Sequence, residues 1–178
     1  MKKKIIYYKC EKQKKSNDFL KYTIPEGEHY ADRHKRIETD NYKFQVHFDN
    51  SAIYTLPDAD QHDINKLTGF SDNRSHHQRF SARFGWRYSD DELRLFAYVY
   101  NDGLWVEEEI SIIKMNETYT CGIFVDKDQY IFYIEELEKD VSMPRAATTA
   151  KGQGYRLYPY FGGNNVAPHD IKIWLKYL

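Results

Sequence analysis

From Phe19 onward the chain is a succession of short runs in which apolar and polar residues alternate, cut at intervals by turn-forming residues. A period of two puts successive side chains on opposite faces of an extended strand, so the pattern confines the chain to β-structure with one apolar and one polar face. Strands are expected over residues 19–24, 42–48, 66–70, 80–88, 92–100, 104–113, 118–125, 129–135, 155–161 and 170–177. The breaks between them carry Gly, Pro, Asp and Asn, and Asn101-Asp-Gly103 between two strong runs is a hairpin signal. Only residues 135–141 tolerate a helix, and residues 148–154 read as a mobile loop. The expected fold is therefore all-β with little helix, an antiparallel β-sandwich of the jelly-roll kind. Residues 18–178 are long enough to bury one core, and residues 1–17 read as a lysine-rich arm or edge strand.

Composition removes several functional classes. With 26 Lys+Arg against 27 Asp+Glu, the net charge of -1 lacks the basic excess of a nucleic-acid binder. No window approaches the length of a membrane span, so membrane insertion is not expected. The start Met1-Lys-Lys-Lys-Ile-Ile-Tyr-Tyr-Lys9 has an apolar run too short for a signal peptide. Localisation stays open: cytoplasmic or virion-associated as written, or extracellular with a leader removed. Cys10 and Cys121 lack the spacing of a disulfide framework or zinc site and read as reduced thiols.

Four runs repeat one division of faces. Gln45 and His47 oppose Phe44, Val46 and Phe48; Arg83 and Arg87 oppose Phe84 and Trp86. Arg94, Phe96, Tyr98 and Tyr100 oppose Leu93, Leu95, Ala97 and Val99, while Arg156, Tyr158 and Tyr160 oppose Leu157 and Phe161. If these strands share a sheet, its polar face is aromatic and cationic. Tyrosine rings stack on the apolar faces of sugars, and Arg and Gln bind hydroxyls or carboxylates. The competing reading is an ordinary solvated sheet. The expected ligand-binding residues are Gln45, Arg83, Arg87, Tyr98, Arg156, Tyr158, Tyr160 and, from the Gly162-Gly-Asn-Asn165 turn, Asn164.

No P-loop, dinucleotide fingerprint or zincin helix occurs, so no organic cofactor is expected. Asp58, Asp60 and Asp63 offer the oxygen-rich character that calcium prefers, without the spacing of an EF-hand. Their bland reading is turn capping. His169-Asp170 suggests a dyad, but strand neighbours point apart, and Asp170 fits better as a turn residue bonding backbone amides.

Gln45-Val46-His47, together with Tyr158-Pro-Tyr-Phe-Gly-Gly-Asn-Asn165, resembles the concanavalin-A-like jelly roll of alginate-lyase-type polysaccharide lyases and lectins. The resemblance implies β-elimination on a uronate, with His47 as base partner, Gln45 as carboxylate clamp and Tyr158 or Tyr160 as acid/base. The chain departs from that family's pattern. Arg36-Ile-Glu-Thr-Asp40 does not match its Arg-(Ser/Thr)-Glu-(Leu/Val)-Arg strand, and Gly162 stands where its lysine falls. Three readings follow. The chain is a non-catalytic carbohydrate-binding module, a lyase on uronate glycans, or a virion or assembly protein with a lectin-like fold. The first is preferred, with a glycan as partner and self-association or particle assembly left open.

Overall fold

A computed structural model describes residues 18–30 and 35–178, with the side chains of Asp58 and Ala59 excepted. The lysine-rich arm and Cys10 lie outside the described residues. Two six-stranded antiparallel sheets pack face to face as a jelly-roll β-sandwich. The first contains β1 (Leu20–Ile24), β12 (Ile171–Tyr177), β3 (Asn41–Phe48), β8 (Thr118–Val125), β9 (Gln129–Ile134) and β10 (Lys139–Pro144), in that spatial order. The second contains β2 (Arg36–Thr39), β11 (Gly152–Leu157), β4 (Asn65–Ser71), β5 (Phe80–Ser89), β6 (Glu92–Asn101) and β7 (Leu104–Ile113).

Hairpin chemistry sets the registers. Asp102 and Gly103 have φ of 48° and 87°, and Asp90 and Asp91 have 57° and 59°. Each pair makes a two-residue turn with both central residues at positive φ, whose twist suits the flanking strands. Asn101 thus faces Leu104, and Ser89 faces Glu92. The inward faces interlock through aromatic rings from both sheets. Phe44 meets Phe84 edge-on at 5.3 Å, Phe84 meets Phe132 at 5.2 Å, and Phe48 meets Trp86 at 5.3 Å. These rings are buried, and such contacts add to plain area burial.

The structure corrects three local expectations. Residues 135–141 do not form an α-helix. A 3-10 turn over Glu135–Leu137 leads into β10, because Met143 is buried and Val141 packs on the core with strand alternation. β2 escapes the pattern reading because its sequence, Arg-Ile-Glu-Thr, carries one apolar residue. Residues 148–154 are not a free loop. Thr148 donates through N and Oγ1 to Asn73 Oδ1, and Gly152 already belongs to β11.

Candidate functional site

A bulge decides what the second sheet shows to solvent. Between Lys66 and Gly69, β4 carries one residue more than β5, so Lys66 faces Gly85 and Gly69 faces Arg83. The extra residue turns both Leu67 and Thr68 inward. Leu67 is buried, and Thr68 donates to the Leu157 carbonyl while accepting from Tyr42 Oη at 2.8 Å. Gly69 is required here: a Cβ would lie 2.2 Å from the Ala82 carbonyl and 2.4 Å from Arg83.

The outward row therefore reads Lys66 on β4, Arg83 and Arg87 on β5, Phe96, Tyr98 and Tyr100 on β6, and Trp105 and Glu107 on β7. Ile64, Phe96 and Tyr98 form a small apolar cluster separate from the main core, with Tyr100 packed against it. Cations lie on this cluster. Lys66 Nζ is 4.4 Å from the Tyr98 ring centre, Arg83 is 5.6 Å from the same ring, and Arg87 is 4.8 Å from Phe96. Tyr160 closes one side. Its backbone pairs reciprocally with Lys66, and its ring stacks on His29 at 4.9 Å and 4°. His29 Nδ1 donates to the Phe161 carbonyl at 2.8 Å, which sets the tautomer.

The electrostatics are unusual for a sheet surface. Burial lowers Arg83 from 12.5 to about 10, against the favourable phenols of Tyr98, Tyr100, Tyr155 and Tyr160, and its Nε is buried without a hydrogen-bond partner. Lys66 falls from 10.5 to about 8, first through burial and then through repulsion from Arg83, with Glu107 and Asp63 opposing the fall. Burial also pushes the Tyr98 phenol up. Among the described residues no carboxylate lies within ion-pair distance of Lys66 or Arg83. Two adjacent cations on an aromatic floor are suited to an anion bearing an apolar face.

Of the residues expected from sequence, Arg83, Arg87, Tyr98 and Tyr160 come together on this face. The others do not join them. Gln45 and His47 belong to β3 in the opposite sheet, and their side chains point out of the far side of the sandwich. There Gln45 Nε2 donates to Thr120 Oγ1 at 3.5 Å, and His47 meets the Trp174 ring edge-on at 5.6 Å. The expected single-sheet grouping fails because β3 pairs with β8 and β12, not with β4 or β11. Arg156 and Tyr158 also turn the other way. Arg156 shares the face of the core residue Phe70 and lies 3.7 Å from the Tyr177 ring centre, and Tyr158 packs 5.9 Å from Tyr22. Leu157, opposite Gly69, takes the outward position instead. Asn164 is exposed in the turn after Gly163.

The Gly162-Gly163 turn works mainly inward. Gly162 has φ of 75°, and its amide donates to the buried Asn65 Oδ1 at 2.5 Å. Among the described residues no group of three or more His, Cys, Asp or Glu side chains is arranged to hold a metal ion. Asp60 lies within the 3-10 turn Asp58–His62 and Asp63 caps its end, Asp63 lies against Gly163, and the Asp58 side chain is outside the described set. Asp170 accepts from the Glu26 amide at 3.0 Å, while His169 Nε2 donates to the Ser51 carbonyl at 2.9 Å, so the two are not a dyad.

The alternation places Phe96 on this face, whereas Lys66, Tyr155 and Trp105 are not among the residues it singles out. Extending the alternation along β7 would have found Trp105, which is 58% exposed beside Tyr100. Nothing in the sequence announces the bulge that orients Lys66.

No protein-family model and no curated protein matches the chain. Among solved structures, alginate lyase AlyC3 superposes with a TM-score of 0.59 at 10% identity, over 88% of this chain and 72% of that one. AlyC3 in complex with dimannuronate gives the same TM-score of 0.59, over 88% and 71%. Chicken galectin 2 gives 0.43 at 11% identity, over 76% and 88%. At these identities the AlyC3 likeness establishes the concanavalin-A-like jelly-roll fold.

Proposed function

We propose that this protein is a non-catalytic module that binds an acidic glycan on the outer face of β4–β7. The observation that carries the reading is the Lys66–Arg83 pair, two cations resting on Tyr98 without a carboxylate partner among the described residues. A uronate satisfies both halves of the site. Its carboxylate answers the cations, and its ring stacks on Tyr98, Tyr100, Tyr160 or Trp105. That AlyC3, of the same fold, is an alginate lyase seen with dimannuronate makes a uronate the natural first ligand to try.

Binding without turnover is supported by the separation of the expected catalytic set. Proton abstraction beside a carboxylate needs base, clamp and acid around one sugar. Here His47 and Gln45 are on one side of the sandwich, and Tyr160 and Arg83 are on the other. One observation favours the lyase as a second reading: Lys66, lowered to about 8 beside Arg83, spends a larger share of its time as the neutral amine than an ordinary lysine does, the form a base must take.

Calorimetry with oligouronates tests the proposal. Wild type binds, and Arg83→Met weakens binding at least about thirtyfold, equivalent to ~2 kcal/mol. Wild-type protein that binds no acidic glycan overturns the reading. Ultraviolet absorbance from an unsaturated product in the same samples would replace it with the lyase.

A further inference from the structure

Beyond Tyr155 the second sheet does not end in a flat edge. A cavity of about 780 Å³ opens between β2, β11 and the 73–76 turn, and its polar lining includes Arg36, Glu38, Arg74, His76, Gln153 and Tyr155. Arg36 on β2 lies directly opposite Tyr155 on β11, and Leu157, two residues on, lies opposite Gly69, which in turn faces Arg83. Since i and i+2 share a face, Arg36, Tyr155 and Arg83 all look out of the same side of the sheet. Tyr155 stands between the cavity and the Lys66–Arg83 site, close enough to Arg83 to act on its charge, and its hydroxyl is bonded to His77 Nδ1 and N at 2.9 and 3.0 Å.

Arg74 is held in the cavity wall by an elaborate support. Asn73 and Arg74 adopt φ of 53° and 55°, two consecutive left-handed residues that lack the freedom of glycine. The Arg74 amide donates to the Gln153 carbonyl at 2.7 Å, and its Nε donates to Gln153 Oε1 at 2.8 Å. The Gln153 amide in turn donates to Asp72 Oδ1 at 2.9 Å, and Asp72 is a buried carboxylate. Only Nε of the guanidinium is engaged, so its Nη nitrogens have no hydrogen-bond partner among the described residues. Among the described lining residues Glu38 is the one acid, against Arg36, Arg74 and His76.

We propose that this cavity is a second anion subsite of the same groove, so that the ligand is a polyanionic glycan chain crossing β5, β4, β11 and β2. The inference rests on the acidic-glycan reading and adds ligand length and direction to it. Three strand spacings separate β5 from β2, about 14 Å, and two residues of offset along the strands add roughly 7 Å in the other direction. That span is wider than one sugar ring, so a single uronate reaches one cation cluster and a chain reaches both. Joining two sites through one ligand raises affinity without any new contact at the first.

The test compares a uronate disaccharide with a long oligomer of the same composition, titrated into the full chain. Wild type should bind the long oligomer at least about tenfold more tightly. In the doubly substituted Arg36→Gln, Arg74→Gln protein this advantage should vanish while disaccharide affinity is unchanged. Both arginines are exposed, and circular dichroism checks that the fold is retained. A double variant that keeps the length advantage, or a wild type without one, overturns the second subsite alone when Arg83→Met still weakens disaccharide binding about thirtyfold. Wild type that binds neither probe overturns both proposals.

Discussion

Arg145 and Arg83 both withdraw from bulk water, yet the two regions around them treat a buried cation in opposite ways. Arg145 engages all three of its guanidinium nitrogens. Its Nε donates to Asp72 Oδ2 at 2.9 Å, and its Nη nitrogens reach the carbonyls of Lys127, Thr149 and Lys151. Asp72 is equally occupied, accepting from Tyr130 Oη at 2.6 Å, from the Asn73 and Gln153 amides and from Thr149 Oγ1. Burial and the neighbouring Asp72 charge push the Tyr130 phenol up. Arg83 has tyrosine rings around it, no carboxylate among the described residues, a lowered pKa and an orphaned Nε. A buried cation with every nitrogen engaged and a carboxylate beside it holds structure together. One left incomplete beside a second cation is the feature on which the proposed anion site rests. Arg156 marks the boundary of the rule: its Nε is also unpaired, but the guanidinium is covered by the Tyr177 ring on the inward side.

The largest effect expected from this contrast is on folding. Arg145→Ala strands Asp72 in the interior and should cost about 3–5 kcal/mol of stability in denaturant titrations. Arg83→Met, which removes an uncompensated cation, should leave stability unchanged or raise it. Equal losses from the two substitutions would erase the distinction between the sites. Next in size is the loss of uronate affinity in Arg83→Met, measured as described above.

A smaller effect follows pH. Lys66 loses its charge as pH rises through about 8, so affinity for an acidic glycan should decline between neutral and mildly alkaline solution, and Lys66→Met should flatten that decline. The stability contribution runs the other way. The folded pKa lies below the ordinary 10.5, so the unfolded chain holds more protons between about 8 and 10.5, and Lys66 burial becomes less costly as pH climbs through that window. The smallest effect is expected on the far side of the sandwich. His47→Ala and Gln45→Ala should leave glycan affinity as it is and change stability by no more than about 0.5 kcal/mol. A marked affinity loss in either would move the site to the β3 face.

Most of the fold was legible because strands declare themselves locally. Alternation and turn residues located every strand except β2 and β10, whose short polar sequences offer too few apolar positions to show a period. Part of the site was legible for the same reason, since Arg83, Arg87 and Tyr98 oppose core residues of their own strands. The pairing of Gln45 and His47 with them was not, because alternation sorts side chains within a strand and is silent on which sheet the strand joins. Arg156 and Tyr158 misled in a different way. A strand with arginine and tyrosine on one side and Leu157 on the other invites the apolar side inward, but the Tyr22, Tyr42 and Tyr177 rings make an aromatic interior that accepts the guanidinium.

Local chain chemistry thus settled the all-β character, the strand spans and the hairpins, because each depends on side-chain period and backbone φ within a few residues. The choice between two similar polar faces was made by tertiary structure alone. Strand order carried β3 to the far sheet, and the bulge at Leu67 and Thr68 swung Lys66 and Gly69 into line with Arg83. Only in the packed sandwich does Arg83 lose water while its Nε gains no hydrogen-bond partner among the described residues, and the proposed anion site rests on that shortfall.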